Sequence, residues 1–186
     1  MKEIILYPTE TIYGLGVNVF DEEAWLRLCA LKNRPAAQPA SWLVRSVDDI
    51  EKYAEVTDKA RLIIDKYLPG PLTIVLQAKH LTGFGKNEDE TIGFRISSDL
   101  KAQSLISDYM KKNNAPLTCT SANLHGQKTN STVSKILAQF GSESDQITTV
   151  IDDGERYGKG STIVRCIGET VEILREGTIK PDDILI

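Results

Sequence analysis

The stretch from Thr57 to Ala78 constrains the fold more than any other part of the chain. Ala60, Ile63, Ile64, Tyr67 and Leu68 recur at the spacing of one helical face, with Thr57 placed as the N-cap. Pro69-Gly70-Pro71 then stops the helix abruptly, since proline lacks an amide donor and disfavours a helical predecessor. Leu72 to Ala78 (LTIVLQA) follows at once as a nearly unbroken apolar run, the pattern of a strand covered on both faces. A helix feeding directly into a doubly covered strand points to layered α/β architecture.

The same alternation runs along the rest of the chain. Ile4 to Tyr7 is a short, wholly apolar run that reads as a buried strand. Asp21 caps a predicted helix to about Asn33, with Ala24, Leu28 and Leu31 on one face. Thr91 to Ser97 reads as a strand, Ser98 to Lys112 as a helix, and Pro116 to Cys119 as a short apolar piece. Val133, Ile136, Leu137 and Phe140 mark a shorter helix capped by Ser131 or Thr132. Short strands are predicted at Thr149 to Ile151, Thr162 to Arg165 and Val171 to Leu174, and a solvated loop at about Leu81 to Glu90. The expected architecture is one α/β domain over residues 1–186, a twisted open mixed sheet with flanking helices.

A chain of 186 residues can bury a core without disulfides or metals. Its three cysteines, Cys29, Cys119 and Cys166, form no CxxC pair, which argues against a structural zinc site and suits a reducing compartment. The N-terminal apolar stretch is too short for a signal peptide or a membrane span, so a cytoplasmic protein is expected. The formal net charge is −4, so any anion site must be a local cluster of Lys and Arg.

Familiar nucleotide signatures fail. The segment from Gly154 to Ser161 has three residues between its glycines where a phosphate loop needs four, and Gly160 separates Lys159 from Ser161. Gly14-Leu15-Gly16 lacks the third glycine of a dinucleotide turn. No G-x-S-x-G elbow is present, and His125, four residues after Ser121, reads as a loop histidine.

Four other features are better placed for chemistry. Pro8-Thr9-Glu10-Thr11-Ile12-Tyr13-Gly14-Leu15-Gly16 sets two hydroxyls and a carboxylate just after a buried strand, where α/β sheets collect ligands. The same hydroxyls could simply satisfy turn backbone. Lys32-Asn33-Arg34-Pro35 offers a point charge and a planar fork to one phosphate, although a last helical turn attracts cations anyway. Thr118-Cys119-Thr120-Ser121-Ala122-Asn123 follows an apolar strand with three hydroxyls and an amide. Arg95 and Arg175 stand in apolar settings, where an inward charge is costly unless paired or matched by a ligand. Ser161-Thr162 adds two hydroxyls at the start of a strand.

These segments together resemble the Sua5/YrdC family of threonylcarbamoyl-AMP synthases. The matching pieces are PTETIYGLG from Pro8, KNRP from Lys32, PGPLTIVL from Pro69, IGFRI from Ile92, TSAN from Thr120, STIV from Ser161 and ILREG from Ile173. The resemblance implies a YrdC-like twisted open sheet around a basic cavity. It also implies synthesis of L-threonylcarbamoyladenylate and pyrophosphate from L-threonine, bicarbonate and ATP. That product supplies the modification of adenosine 37 in tRNA through downstream transfer machinery. By the same resemblance Lys32 and Arg34 face the phosphates and carry catalysis. Thr11, Arg95, Cys119 and Ser161 would meet threonine, and Gln38, Thr91, Ser121, Asn123, Thr129 and Arg175 the nucleotide. Mg²⁺ would ride on ATP, with no dedicated protein metal site.

The chain departs from the family pattern where Gln38-Pro39-Ala40-Ser41-Trp42-Leu43 replaces an Asn-Pro-Leu stretch leading to a histidine. Ser97 stands for a usual proline, His125 for a frequent serine and Arg165 for a usual aspartate. The first strand falls almost at Met1 and no second domain follows, as in the short single-domain branch. Two other readings are a synthase-inactive YciO-like paralogue and a double-stranded RNA-binding or maturation factor contacting tRNA or other RNA. The acidic total and the absence of aromatic stacking runs count against RNA.

Overall fold

A computed structural model of the chain describes residues 3–79, 83–84 and 89–184. Most of the loop expected at about Leu81 to Glu90 lies outside the described residues. In chain order the elements are β1 (Ile5–Tyr7), β2 (Gly14–Gly16), α1 (Glu22–Leu31), β3 (Ser41–Leu43), α2 (Val47–Tyr53), α3 (Asp58–Tyr67) and β4 (Leu72–Gln77). They continue with β5 (Thr91–Arg95), α4 (Leu100–Asn113), β6 (Leu117–Ser121), α5 (Val133–Phe140) and a 3-10 turn at Gly141–Gln146. Last come β7 (Thr149–Val150), β8 (Thr162–Ile167), β9 (Thr170–Arg175) and the short α6 (Pro181–Ile184).

The helices start where short polar side chains cap them. Asp21 accepts the Ala24 amide at 3.0 Å, Thr57 the Ala60 amide at 3.2 Å, and Asp99 the Lys101 and Ala102 amides at 2.9 and 3.0 Å. Of the two candidates for α5, Thr132 is the cap.

The strands form one mixed sheet in the order β7-β1-β2-β6-β3-β5-β4-β8-β9. β1/β7, β3/β5 and β4/β8 are parallel, and the remaining neighbours are antiparallel. Beneath β1 the apolar run is explained by its two faces: Ile4 and Leu6 pack with α1 and α5, while Ile5 and Tyr7 pack with α4. Leu72, Ile74 and Leu76 of β4, Ile92 and Phe94 of β5, and Val164 of β8 all join the core under α2 and α3.

Side chains alternate across a strand, so the other face of that half-sheet carries Ser41, Thr73, Val75, Thr91, Gly93, Arg95, Ile163 and Arg165. This face is polar, and it forms the floor of the site described below.

Apart from the 3-10 turn and the four-residue α6, which had no predicted counterpart, three elements differ from the sequence expectation. Gly14–Gly16 is a strand and not the end of a turn, because Tyr7 on one side and Ser121 on the other supply its ladder partners. β3 and α2 had no predicted counterpart; they are short, and tertiary packing around Trp42 and Ile50 stabilises them.

Candidate active site

A cavity of about 320 Å³ opens over the polar face of the sheet. Its wall takes Lys32, Arg34 and Gln38 from the segment after α1, and Cys119, Ser121 and Asn123 from β6 and its turn. Arg95 comes from β5, Ser161 from the approach to β8 and Arg175 from the end of β9. Nine of the twelve residues singled out in the sequence thus share one wall. Among the described residues, no aspartate or glutamate lines it.

Lys32 and Arg34 owe their positions to the way α1 ends. Asn33 takes the left-handed conformation at φ 51°. Its amide reaches the Ala30 carbonyl at 2.9 Å, and the Arg34 amide reaches Cys29 at 3.0 Å. This is a Schellman motif with asparagine in place of glycine. The two cations therefore lie just past the helix, not in its last turn as the sequence suggested. Lys32 is only 2% exposed. Its ammonium donates to the Asn123 carbonyl at 2.6 Å and to the Ser121 carbonyl. Burial first, then the neighbouring Arg34 charge, lowers its pKa to about 7. Arg34 donates to the Thr120 hydroxyl at 3.0 Å and the Pro39 carbonyl at 2.9 Å, and it lies 5.7 Å from the centre of the Trp25 ring.

Arg95 is buried and held differently. Its guanidinium donates to Glu10, approaches the Thr11 hydroxyl at 3.4 Å and the Cys119 thiol at 3.8 Å. Burial alone would lower its pKa, but Cys119, Glu10 and Tyr7 together raise it. Glu10 in turn accepts the Ser97 hydroxyl. Arg175 donates to the Ser161 carbonyl at 2.7 Å, and the Ser161 and Thr73 hydroxyls are 2.7 Å apart. Burial and then the field of Arg95 lower the Arg175 pKa.

Three predicted residues sit elsewhere. Thr11 lies behind Arg95, its hydroxyl 3.0 Å from that of Thr9. Thr9 mainly serves the turn, accepting the Thr11 and Ile12 amides, as its alternative reading supposed. Thr91 donates to Asp89 at 2.7 Å and lines a shallower neighbouring hollow, which shares Gln38 and Pro39 with the main cavity. Thr129 is exposed and lies outside the lining. Sequence reasoning gave no partner to Glu10 and no role to Thr73. The signal for Glu10 was an isolated carboxylate in the turn after β1; nothing local marks Thr73. Pro39, Ala40 and Ser41, within the departure from the family pattern, also line the cavity.

The segment before β8 closes one side as a strap. Arg156 bonds Asp99 at 2.9 Å, Asp153 at 2.6 Å and the Thr9 carbonyl at 3.0 Å. The Gly158 amide reaches the Thr11 carbonyl at 3.1 Å, and Tyr13 donates to the Gly154 carbonyl at 2.7 Å.

Among the described residues, three buried side-chain polar atoms have no hydrogen-bond partner: Arg34 Nε, Arg95 Nε and Asn123 Oδ1. All three belong to the cavity wall. Buried polar groups are normally satisfied, and the residues that leave one unsatisfied are all residues of this wall. No group of three or more His, Cys, Asp or Glu residues able to hold a metal occurs among the described residues, and no described helix is long and apolar enough to cross a membrane.

A family model of the Sua5, YciO and YrdC proteins, described as telomere recombination, matches residues 1–177. A protein of Methanocaldococcus jannaschii is 37% identical over 180 residues, 95% of this chain and 81% of its own. The threonylcarbamoyl-AMP synthase of Pyrococcus abyssi is 30% identical over 189 residues, 98% of this chain; the chain spans only 52% of that relative's length. That of Vibrio cholerae is 30% identical over 178 residues, 94% of this chain and 90% of its own. The crystal structure of P. abyssi Sua5 complexed with L-threonine superposes with a TM-score of 0.87 at 28% identity, covering 98% of this chain and 52% of that one. Escherichia coli YciO, at 24% identity, shares the fold with a TM-score of 0.85, covering 99% of this chain and 87% of its own.

Proposed function

The chain belongs to the Sua5, YciO and YrdC family, and from that premise we propose that it is an L-threonylcarbamoyladenylate synthase. It joins L-threonine, bicarbonate and ATP into threonylcarbamoyl-AMP and pyrophosphate, and the product feeds transfer of the threonylcarbamoyl group to adenosine 37 of tRNA. The observation that carries this reading is the convergence of Lys32, Arg34, Arg95 and Arg175, from three separate segments, on one cavity that no carboxylate lines among the described residues. Every substrate is an anion or carries a carboxylate, so such a cavity matches them all.

The chemistry asks little of a protein nucleophile. The threonine amine and bicarbonate give a carbamate and water. A carbamate oxygen then forms a bond to the α-phosphorus as the bond to pyrophosphate breaks. Catalysis of that step rests on positioning and on neutralising charge that builds on the phosphates. Lys32 and Arg34, two positions apart in the segment after α1, do so in this reading, with Ser121 and Asn123 beside them. At the other end Arg95 takes the threonine carboxylate, with Cys119 and Ser161 nearby. Arg175 and Gln38 face the nucleotide between these groups, and Thr91 extends its site into the adjoining hollow. Thr11 acts through Arg95, and Thr129 lies further out. Mg²⁺ enters with ATP as part of the substrate; among the described residues the lining offers hydroxyls, carbonyls and cations and no carboxylate cage.

Incubating the purified protein with ATP, threonine and ¹³C-bicarbonate tests the reading. Mass spectrometry should find an adenylate carrying both threonine and one heavy carbon. AMP formation without that adduct would refute it.

A further inference from the structure

The four cations of the cavity are not electrically alike. Lys32 is held by two backbone carbonyls, Arg34 by the Thr120 hydroxyl and the Gln38 and Pro39 carbonyls, and Arg175 by Ser161. Among the described residues, none of these three has a carboxylate in ion-pair reach. Arg95 alone does: it is paired to Glu10, whose side chain is 12% exposed and which is fixed in turn by the Ser97 hydroxyl. Arg95 lines the cavity and Glu10 does not, so Glu10 neutralises the guanidinium from outside the lining and leaves its cavity side to a ligand.

We propose that Glu10 is a specificity determinant that keeps phosphate off Arg95, so that the Arg95 end of the cavity accepts a zwitterion while the Lys32–Arg34 end accepts phosphates. The inference rests on the synthase reading given above and deepens it.

The physical reason is a difference in net charge. A buried guanidinium without a counter-ion is a strong anion site and would take inorganic phosphate, pyrophosphate or a stray triphosphate. A resident carboxylate cancels most of that field, so a dianion gains little there. An amino acid carries no net charge. Its carboxylate still finds the fork of Arg95, and its ammonium is not repelled by a neutral pair. The uncompensated cations at the far end keep their attraction for phosphates. One cavity can then hold two oxyanion-bearing substrates without exchanging their places, a demand that a uniformly basic pocket would fail.

Titration calorimetry with threonine, with and without inorganic phosphate as competitor, tests this on the wild type, Glu10→Gln and Ser97→Ala. The wild type should bind threonine with an affinity that phosphate changes less than about twofold. Glu10→Gln keeps the shape and the acceptor oxygen but removes the charge, so phosphate should weaken its threonine binding by about tenfold or more. Ser97→Ala loosens the same cluster while keeping the charge, and should behave as the wild type does. Strong phosphate competition in the wild type would overturn the proposal without any variant. So would an indifferent Glu10→Gln, or equal competition in Ser97→Ala and Glu10→Gln. A wild type that binds no threonine at all would instead remove the synthase reading, and this inference with it.

Discussion

The Lys32 ammonium donates to the Asn123 carbonyl at 2.6 Å, tying the end of α1 to the turn that follows β6. The contact spans 91 positions in the chain and brings the two segments that line the phosphate end into one unit. It also removes Lys32 from solvent, and that burial disfavours its charge.

That burial makes nucleotide binding pH-dependent. In the free protein Lys32 titrates at about 7, with burial as the main cause and Arg34 second. A bound triphosphate favours the ammonium and raises this pKa. Below pH 7 the proton is already present and ATP affinity is full. Above pH 7 each binding event must capture a proton, so affinity falls towards tenfold per pH unit until the pKa of the complex is reached. Calorimetry at pH 8 in buffers of different ionisation enthalpy should show uptake approaching one proton per ATP, and Lys32→Arg should abolish it. A flat affinity between pH 6.5 and 8.5 would contradict the assignment.

Arg95→Ala should separate the two substrates. Threonine affinity is expected to fall by about a hundredfold and ATP affinity by less than about threefold, both read by calorimetry. The variant also strands Glu10 without its partner, which costs about 3 kcal/mol and lowers Tm by roughly 6–12 °C. Equal losses for both ligands would show that Arg95 does not serve the amino-acid end.

Gly158→Ala should detach the strap. A Cβ there would stand 2.5 Å from the Thr11 carbonyl oxygen and 2.9 Å from its Cα, and backbone cannot yield as a flexible side chain would. The expected cost is about 1–3 kcal/mol. Because the strap packs on the turn that supports Arg95, KM for threonine should rise more than KM for ATP. An unchanged threonine KM with lowered stability would make the strap purely structural.

Much of this molecule is legible before folding, for reasons that are local. The α3–β4 unit is readable because Thr57, the apolar stripe and Pro69-Gly70-Pro71 each act within a few residues of themselves. β1 is readable because burial on both faces leaves an unbroken apolar run. β2 is not, since Gly14, Leu15 and Gly16 have no strand preference of their own. Their pairing comes from Tyr7 and Ser121, and Gly16 is needed because a Cβ would strike the Thr118 carbonyl oxygen. Seven-residue α2 has too little periodicity to stand alone; the structure shows its cap to be Ser46, which accepts the Asp49 amide at 3.3 Å.

The site divides in the same way. Its cations were readable as residue types, and the ordered motifs grouped them through family resemblance. Their environments were not readable. That Lys32 sits among carbonyls and Arg95 against Glu10 is decided by contacts 85 to 91 positions apart, which no local pattern reports.

The most direct test of the account is pyrophosphate release from ATP with each substrate omitted in turn. Release should require threonine and bicarbonate together and should stop when either is left out. Release that continues without threonine, or no release with all three substrates present, would contradict it.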